Sequence, residues 1–236
     1  MKFGTNEIQK VYLGTTELNS LYFGANQVYT KGGFDEYTKG VWHLENNTDN
    51  AVPGSAWALH TSEPLFITEY SNSIYKFGSY SGRRVQNSGT WVSVFASKIT
   101  NTASKDFTID LWVRSGVSSA SSGDNAPYVL FKLIDATSSY ITASVSIFKD
   151  KIVTWSTSQE VAVEPATWHH IAFERYNSNM YIYIDGVLKE TVTIQHNIEY
   201  FAEQHTYNPV VYFDEIRLSS TARYKGQNFT PPTQPY

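Results

Sequence analysis

From residue 34 to residue 236 apolar side chains recur at every second position, run after run, and no long stretch shows the three-and-four spacing of a helix. A period of two is the alternation of a half-buried strand. It predicts strands over Val41–Glu45, Leu65–Glu69, Trp91–Ala96, Phe107–Arg114 and Tyr128–Ile134. It predicts further strands over Ile141–Phe148, Ile152–Ser156, Trp168–Tyr176, Met180–Asp185, Leu188–Ile194 and Val210–Leu218. Turn residues separate these runs at short intervals, the pattern of a two-sheet antiparallel sandwich. Asp185-Gly186, between two alternating runs, is the strongest hairpin signal and reads as turn chemistry alone. Trp42, Trp112, Trp155 and Trp168 fall within strand patterns and read as core. Aromatics at 15% and charged residues at 17% favour sheet over helix.

The first thirty residues carry a second period, of ten. KFGTNEIQKV is followed by YLGTTELNSL and YFGANQVYT, so that Phe3, Leu13 and Phe23 align, as do the glycines after them. Each unit reads as a short strand, a Gly-led turn and a second short strand. A ten-residue unit cannot bury its own apolar face, but stacking on neighbours or on another chain can. One reading is a set of ordinary hairpins packed on their own domain. The other, which we expect, is an assembly module that docks on other subunits through Phe3, Leu13, Leu18, Leu21, Phe23 and Val28. Lys31-Gly32-Gly33 reads as the hinge between this module, residues 1–31, and a domain over residues 34–236.

Charge and motifs narrow the function. With 18 basic and 22 acidic residues the net charge is −4, which argues against a nucleic-acid partner. There is no cysteine, so disulfides, thiolate metal sites and cysteine nucleophiles are excluded. MKFGTNEIQK has no apolar core of a secretory signal, and no run approaches the ~20 apolar residues of a membrane span, so no membrane insertion is expected. No hydrolase elbow, zinc-protease motif, phosphate loop or dinucleotide fingerprint is present. His169 and His170 are adjacent on a predicted strand and so point to opposite faces, with ring nitrogens expected to be satisfied within the sheet. A retaining glycanase needs two carboxylates about 5–5.5 Å apart, which Glu-x-Asp on a strand would supply. No Glu here is followed two positions later by Asp. The expectation is a protein without enzymatic activity and without catalytic residues.

Five blocks carry a family resemblance: GVWHLENN (Gly40–Asn47), KFGSYSG (Lys76–Gly82), KDFTIDLWVR (Lys105–Arg114), TWHHIAFERYNSNMYIYIDGVL (Thr167–Leu188) and FDEIRLSSTARYKGQNFTPPT (Phe213–Thr233). In order and over most of residues 34–236 they resemble the concanavalin A-like, laminin-G-like jelly roll in its bacterial and phage form. The N-terminal repeat is similar to segments of tail and surface proteins of tailed phages. The resemblance implies an all-β fold, a two-sheet antiparallel jelly-roll sandwich behind a small β-hairpin module. It implies a virion structural protein, assembled in the bacterial host cytoplasm, whose N-terminal module presents the jelly roll outward as a homotrimer. Its partners would be other virion proteins and a host surface glycan bound by a lectin-like domain. A capsid decoration protein, or a glycan hydrolase of the same fold, is the alternative. The resemblance also implies a calcium site at Glu45 and Asp214, with Glu45 standing where the family has Asp. Sugar-stacking aromatics are expected in segments that depart from the family blocks, around Trp57, Tyr70 and Tyr75 and in a loop His196–Asn208. In that loop Tyr200, Phe201 and Tyr207 would stack on a sugar and Glu199 and Glu203 would accept its hydroxyls.

Overall fold

A computed structural model of the chain describes residues 2–3, 6–7, 12–13, 16–17, 20–23, 26–30, 34–55, 69–84, 106–116, 129–135, 141–154, 157–194, 198–205 and 210–236. The ten-residue period appears as three hairpins. β1 (Lys2–Phe3) pairs with β2 (Asn6–Glu7), β3 (Tyr12–Leu13) with β4 (Thr16–Glu17), and β5 (Ser20–Phe23) with β6 (Asn26–Thr30). Phe3, Leu13 and Phe23 each close the first strand of their hairpin, and Asn6, Thr16 and Asn26 each open the second.

The following strands are β7 (Thr38–Trp42), β8 (Glu69–Ser71), β9 (Ser81–Arg84), β10 (Phe107–Ser115), β11 (Val129–Asp135), β12 (Ile141–Ile147) and β13 (Lys151–Thr154). After them come β14 (Glu160–Ala162), β15 (Trp168–Tyr176), β16 (Asn179–Ile184), β17 (Val187–Thr193), β18 (Ile198–His205) and β19 (Val211–Ser219). All described pairings are antiparallel, and β7 to β19 build two sheets. The larger runs β17-β16-β15-β10-β19-β9-β8, with β7 also paired to β19. The smaller runs β14-β13-β12-β11-β18. The two pack as a jelly-roll sandwich, and no helix occurs among the described residues.

Alternation fills the space between the sheets. Phe107, Ile109, Leu111 and Val113 of β10 meet Ile171 and Phe173 of β15, Phe213 of β19, and Phe131, Leu133 and Val145 of the smaller sheet in one core. Phe131 and Phe213 meet edge to face, with ring centroids 6.0 Å apart. Each such side chain, removed from water, stabilises the fold by about 1.5–3 kcal/mol. The β16–β17 turn is the sharpest local signal made real: Asp185 (φ 50°) and Gly186 (φ 76°) both take positive φ, as a two-residue hairpin turn requires.

Several expectations are corrected. The first predicted strand, Val41–Glu45, lies earlier, because Leu44 and Asn46 take left-handed backbone angles that end the extended run at Trp42. The segment expected as a loop, His196–Asn208, contains β18, which pairs with β11 over its length. β9 and β14 were absent from the alternation pattern. Trp42 and Trp112 are buried as expected, but Trp168 is only half-buried. The predicted strand Trp91–Ala96 and Trp155 lie outside the described residues.

Candidate functional site

The chemistry gathers on the outer face of the larger sheet. Along β10, the residues between the core positions are Thr108, Asp110, Trp112 and Arg114, and these face outward. Register then sets the rows across the face. Asp110 lies beside Ala172 of β15 and Arg217 of β19, and Trp112 beside His170 and Asp214. Arg114 lies beside Trp168 and Tyr212, Tyr212 beside Arg83, and Arg83 beside Glu69.

One end of this face is sealed by residues 220–236, which cross it as a strap. Arg223 pairs with Asp35 at 2.9 Å. The amides of Tyr224 and Gly226 donate to the two carboxylate oxygens of buried Glu174. The Tyr224 hydroxyl donates to Asp110, whose other partner is the Arg217 guanidinium. The Tyr224 ring stacks on Phe229 at 3.5 Å, and Phe229 packs edge-on against His170 and Tyr183. Tyr236 lies over Arg217, with the guanidinium 3.9 Å from its ring centroid, and its hydroxyl meets His170 Nε2 at 2.9 Å. Burial opposes the charge on Asp110, but the Arg217 guanidinium outweighs it and holds the carboxyl below the usual range. Burial pushes the His170 imidazole down to about 4, so the ring is neutral near pH 7. Its Nδ1, like Trp112 Nε1, is buried with no hydrogen-bond partner.

At the other end a turn over residues 72–80 rims the face. Asp214, fully buried, accepts the amides of Lys76 (2.7 Å) and Phe77 (3.2 Å) on one oxygen and that of Glu215 (2.9 Å) on the other. Glu45 accepts the amides of Ser79 and Tyr80. Burial pushes the Asp214 carboxyl up to about 7. The two acids expected to hold calcium are thus brought to one place, but their oxygens face N–H hydrogens. No group of three or more His, Asp or Glu side chains suited to a cation occurs among the described residues. Calcium requires 6–8 oxygen ligands, and this donor set does not fit it.

The turn so held presents Tyr75, which is 44% exposed. The next residue, Lys76, places its ammonium 3.8 Å from the Trp112 ring centroid. Tyr70, expected beside Tyr75 as a stacking platform, instead packs against the core. Asp185 does more than turn the chain: it accepts the His170 amide (2.9 Å) and meets His169 Nδ1 (2.8 Å). Both nitrogens of His169 are engaged, the second by Thr167.

Four of the other expected ligand-binding residues belong to the smaller sheet. Glu199, Tyr200, Phe201 and Glu203 lie in β18, an edge strand of the smaller sheet, with Phe201 opposite Leu133 and Tyr200 opposite Ile134. Successive strand positions belong to opposite faces, so positions 200 and 201 fall on different faces of the sheet. Trp57 and Tyr207 lie outside the described residues. Sequence reasoning missed the row Trp168, Arg114, Tyr212 and Arg83, whose members are distant in sequence and meet only through register.

Residues 86–222, more than half of the chain, match the family model described as the concanavalin A-like lectin/glucanases superfamily. The chain belongs to this superfamily. Among solved structures, this concanavalin A-like chain is similar to the binding domain of Paraclostridial Mosquitocidal Protein 1, with a TM-score of 0.55 and 13% identity over 80% of this chain and 50% of that one. It is also similar to a botulinum neurotoxin type C structure (TM-score 0.49, 14% identity, 80% and 49% covered). An alginate lyase from Corynebacterium sp. gives a TM-score of 0.40 and 11% identity, with 61% and 69% covered. The chain spans about half the length of the two toxin chains. At these identities the likeness is one of fold. No curated protein matches the chain.

Proposed function

We propose that this protein is a non-catalytic, glycan-binding virion protein of a tailed phage. Residues 34–236 display a lectin-like face to a host surface glycan, and the hairpins of residues 1–31 fix the protein, as a homotrimer, to other virion proteins. The observation that carries the glycan reading is Tyr75. It is an exposed aromatic ring on a turn whose backbone is fixed by the carboxylates of Asp214 and Glu45. A ring held in place before binding loses little freedom when a sugar stacks on it. Trp168, half-buried on the same sheet face, adds a second aromatic surface.

Two acids of the outer face, Asp110 and Glu174, favour binding over catalysis. Asp110 and Glu174 are fully buried, and Arg217, Tyr224 and the amides of the strap occupy their oxygens. A general acid or nucleophile must reach its substrate, and these two face the strap.

The test is adsorption to host cells and to the purified surface polysaccharide. Tyr75→Ala is expected to weaken monovalent binding several-fold, in keeping with the ~0.5–1.5 kcal/mol of a stacked ring. Trimeric display would magnify the loss through avidity. Unchanged adsorption by folded Tyr75→Ala protein would overturn the reading.

A further inference from the structure

The end of the outer face away from the strap carries two cations that no carboxylate pairs among the described residues. Arg114 donates through Nε to the Ala166 carbonyl at 2.6 Å and leans on the Tyr212 ring at 5.9 Å. That contact fixes the guanidinium and leaves both Nη groups available. Lys76 holds its ammonium over Trp112, two strand positions from Arg114, and makes no ion pair among the described residues, although the fields of Asp185 and Asp214 favour its charge. Trp112 and Arg114 lie two positions apart on one face of β10, a Cα spacing of about 7 Å, so the two cations belong to neighbouring positions of the same face.

The neighbouring acids are already engaged. Glu69 pairs with Arg83, Asp185 with His169, and Asp214 with the turn amides. Two cations unpaired among the described residues, set over the buried rings of Tyr212 and Trp112 and beside half-buried Trp168, are notable in a chain of net charge −4. A neutral sugar would stack on Trp168 but leave the cations without partners. A planar guanidinium, by contrast, matches a carboxylate through two parallel hydrogen bonds.

We propose that the row Trp168–Arg114–Tyr212, with Lys76 beside it, is a binding site for carboxylate-bearing saccharides. Arg114 takes the carboxylate, Lys76 adds a second positive charge, and the half-buried Trp168 ring takes an apolar face of the sugar. This rests on the glycan-binding reading above and names the class of glycan.

The experiment uses the full chain with two probes, oligogalacturonate and the same oligomer with its carboxylates methyl-esterified. Titration calorimetry is expected to show the acidic probe binding roughly tenfold or more tightly than its ester, a difference of about 1.4 kcal/mol or more. Raising the salt should weaken the acidic probe alone. Arg114→Ala should abolish the difference between the probes, and Arg114→Lys should restore only part of it, with thermal melts confirming that both variants fold. Equal binding of acid and ester, or an acid preference that survives in Arg114→Ala, would overturn the carboxylate site and leave glycan binding standing if Tyr75→Ala weakens both. No binding of either probe, with host polysaccharide bound normally, would also overturn it. If host polysaccharide fails as well, the glycan reading falls with it.

Discussion

Asp214 and Glu45 hold the two halves of a single turn: Asp214 takes the amides of Lys76 and Phe77, and Glu45 those of Ser79 and Tyr80. The turn joins β8 to β9 and carries Tyr75, so two acids from distant parts of the chain set the position of the exposed ring. Carboxylates that accept N–H groups need no cation to satisfy them.

Asp214→Ala is therefore expected to cost about 2–4 kcal/mol, since it leaves amides at a buried site without an acceptor. Exhaustive chelation should leave the melting temperature unchanged. Gly78→Ala should destabilise as well, because Gly78 has φ +64° and a Cβ there would run into the Glu45 carboxylate. A melting temperature that falls on chelation would contradict the clamp.

The strap depends on the Asp110–Arg217 pair beneath it. Asp110→Ala would leave the Arg217 charge in a buried site, at a cost of about 3–5 kcal/mol. Tyr224→Phe removes one hydrogen bond to the same carboxylate and should cost about 1 kcal/mol. Denaturant unfolding measures both. A smaller loss in Asp110→Ala than in Tyr224→Phe would show that the ion pair does not anchor the strap.

His170 predicts an acid-sensitive term in stability. Its folded value is about 4, against 6.5 for an open histidine, because burial disfavours the charged ring. Between these values the unfolded chain binds a proton that the folded chain does not. Stability from this residue is therefore fully present above about pH 6.5 and declines as the pH falls towards 4, by on the order of 3 kcal/mol. Melting curves across this range should be flatter for His170→Gln. An imidazole resonance that titrates near 6.5 in the folded protein would contradict the burial account.

Much of the sandwich was legible in sequence because β10, β15, β16 and β19 alternate apolar and polar residues with little interruption, and Asp185-Gly186 marks its turn unambiguously. β9, Ser-Gly-Arg-Arg, carries no apolar alternation because its small residues pass close to β19. β18 mixes Glu, Tyr, Phe and Gln, a composition an edge strand tolerates and a pattern search reads as loop. Glu45 and Asp214 were visible as acids, but not what they hold: the donors are backbone amides of a turn far away in sequence. The Arg114 row was invisible for the same reason, since four strands had to be placed in register before Trp168, Tyr212 and Arg83 joined it.

Deletion of residues 1–31 tests the assembly role of the hairpins. The truncated chain should melt as one folded domain, lose its trimeric mass in solution and fail to enter particles. An unchanged mass and normal incorporation would assign the hairpins to the domain itself.

The most direct test of the account is to pass the full chain over immobilised host surface polysaccharide and assay the bound fraction and the flow-through for newly formed chain ends. The account predicts retention that Tyr75→Ala weakens several-fold, with no new reducing or unsaturated ends. No retention of folded protein, or steady release of chain ends, would contradict it.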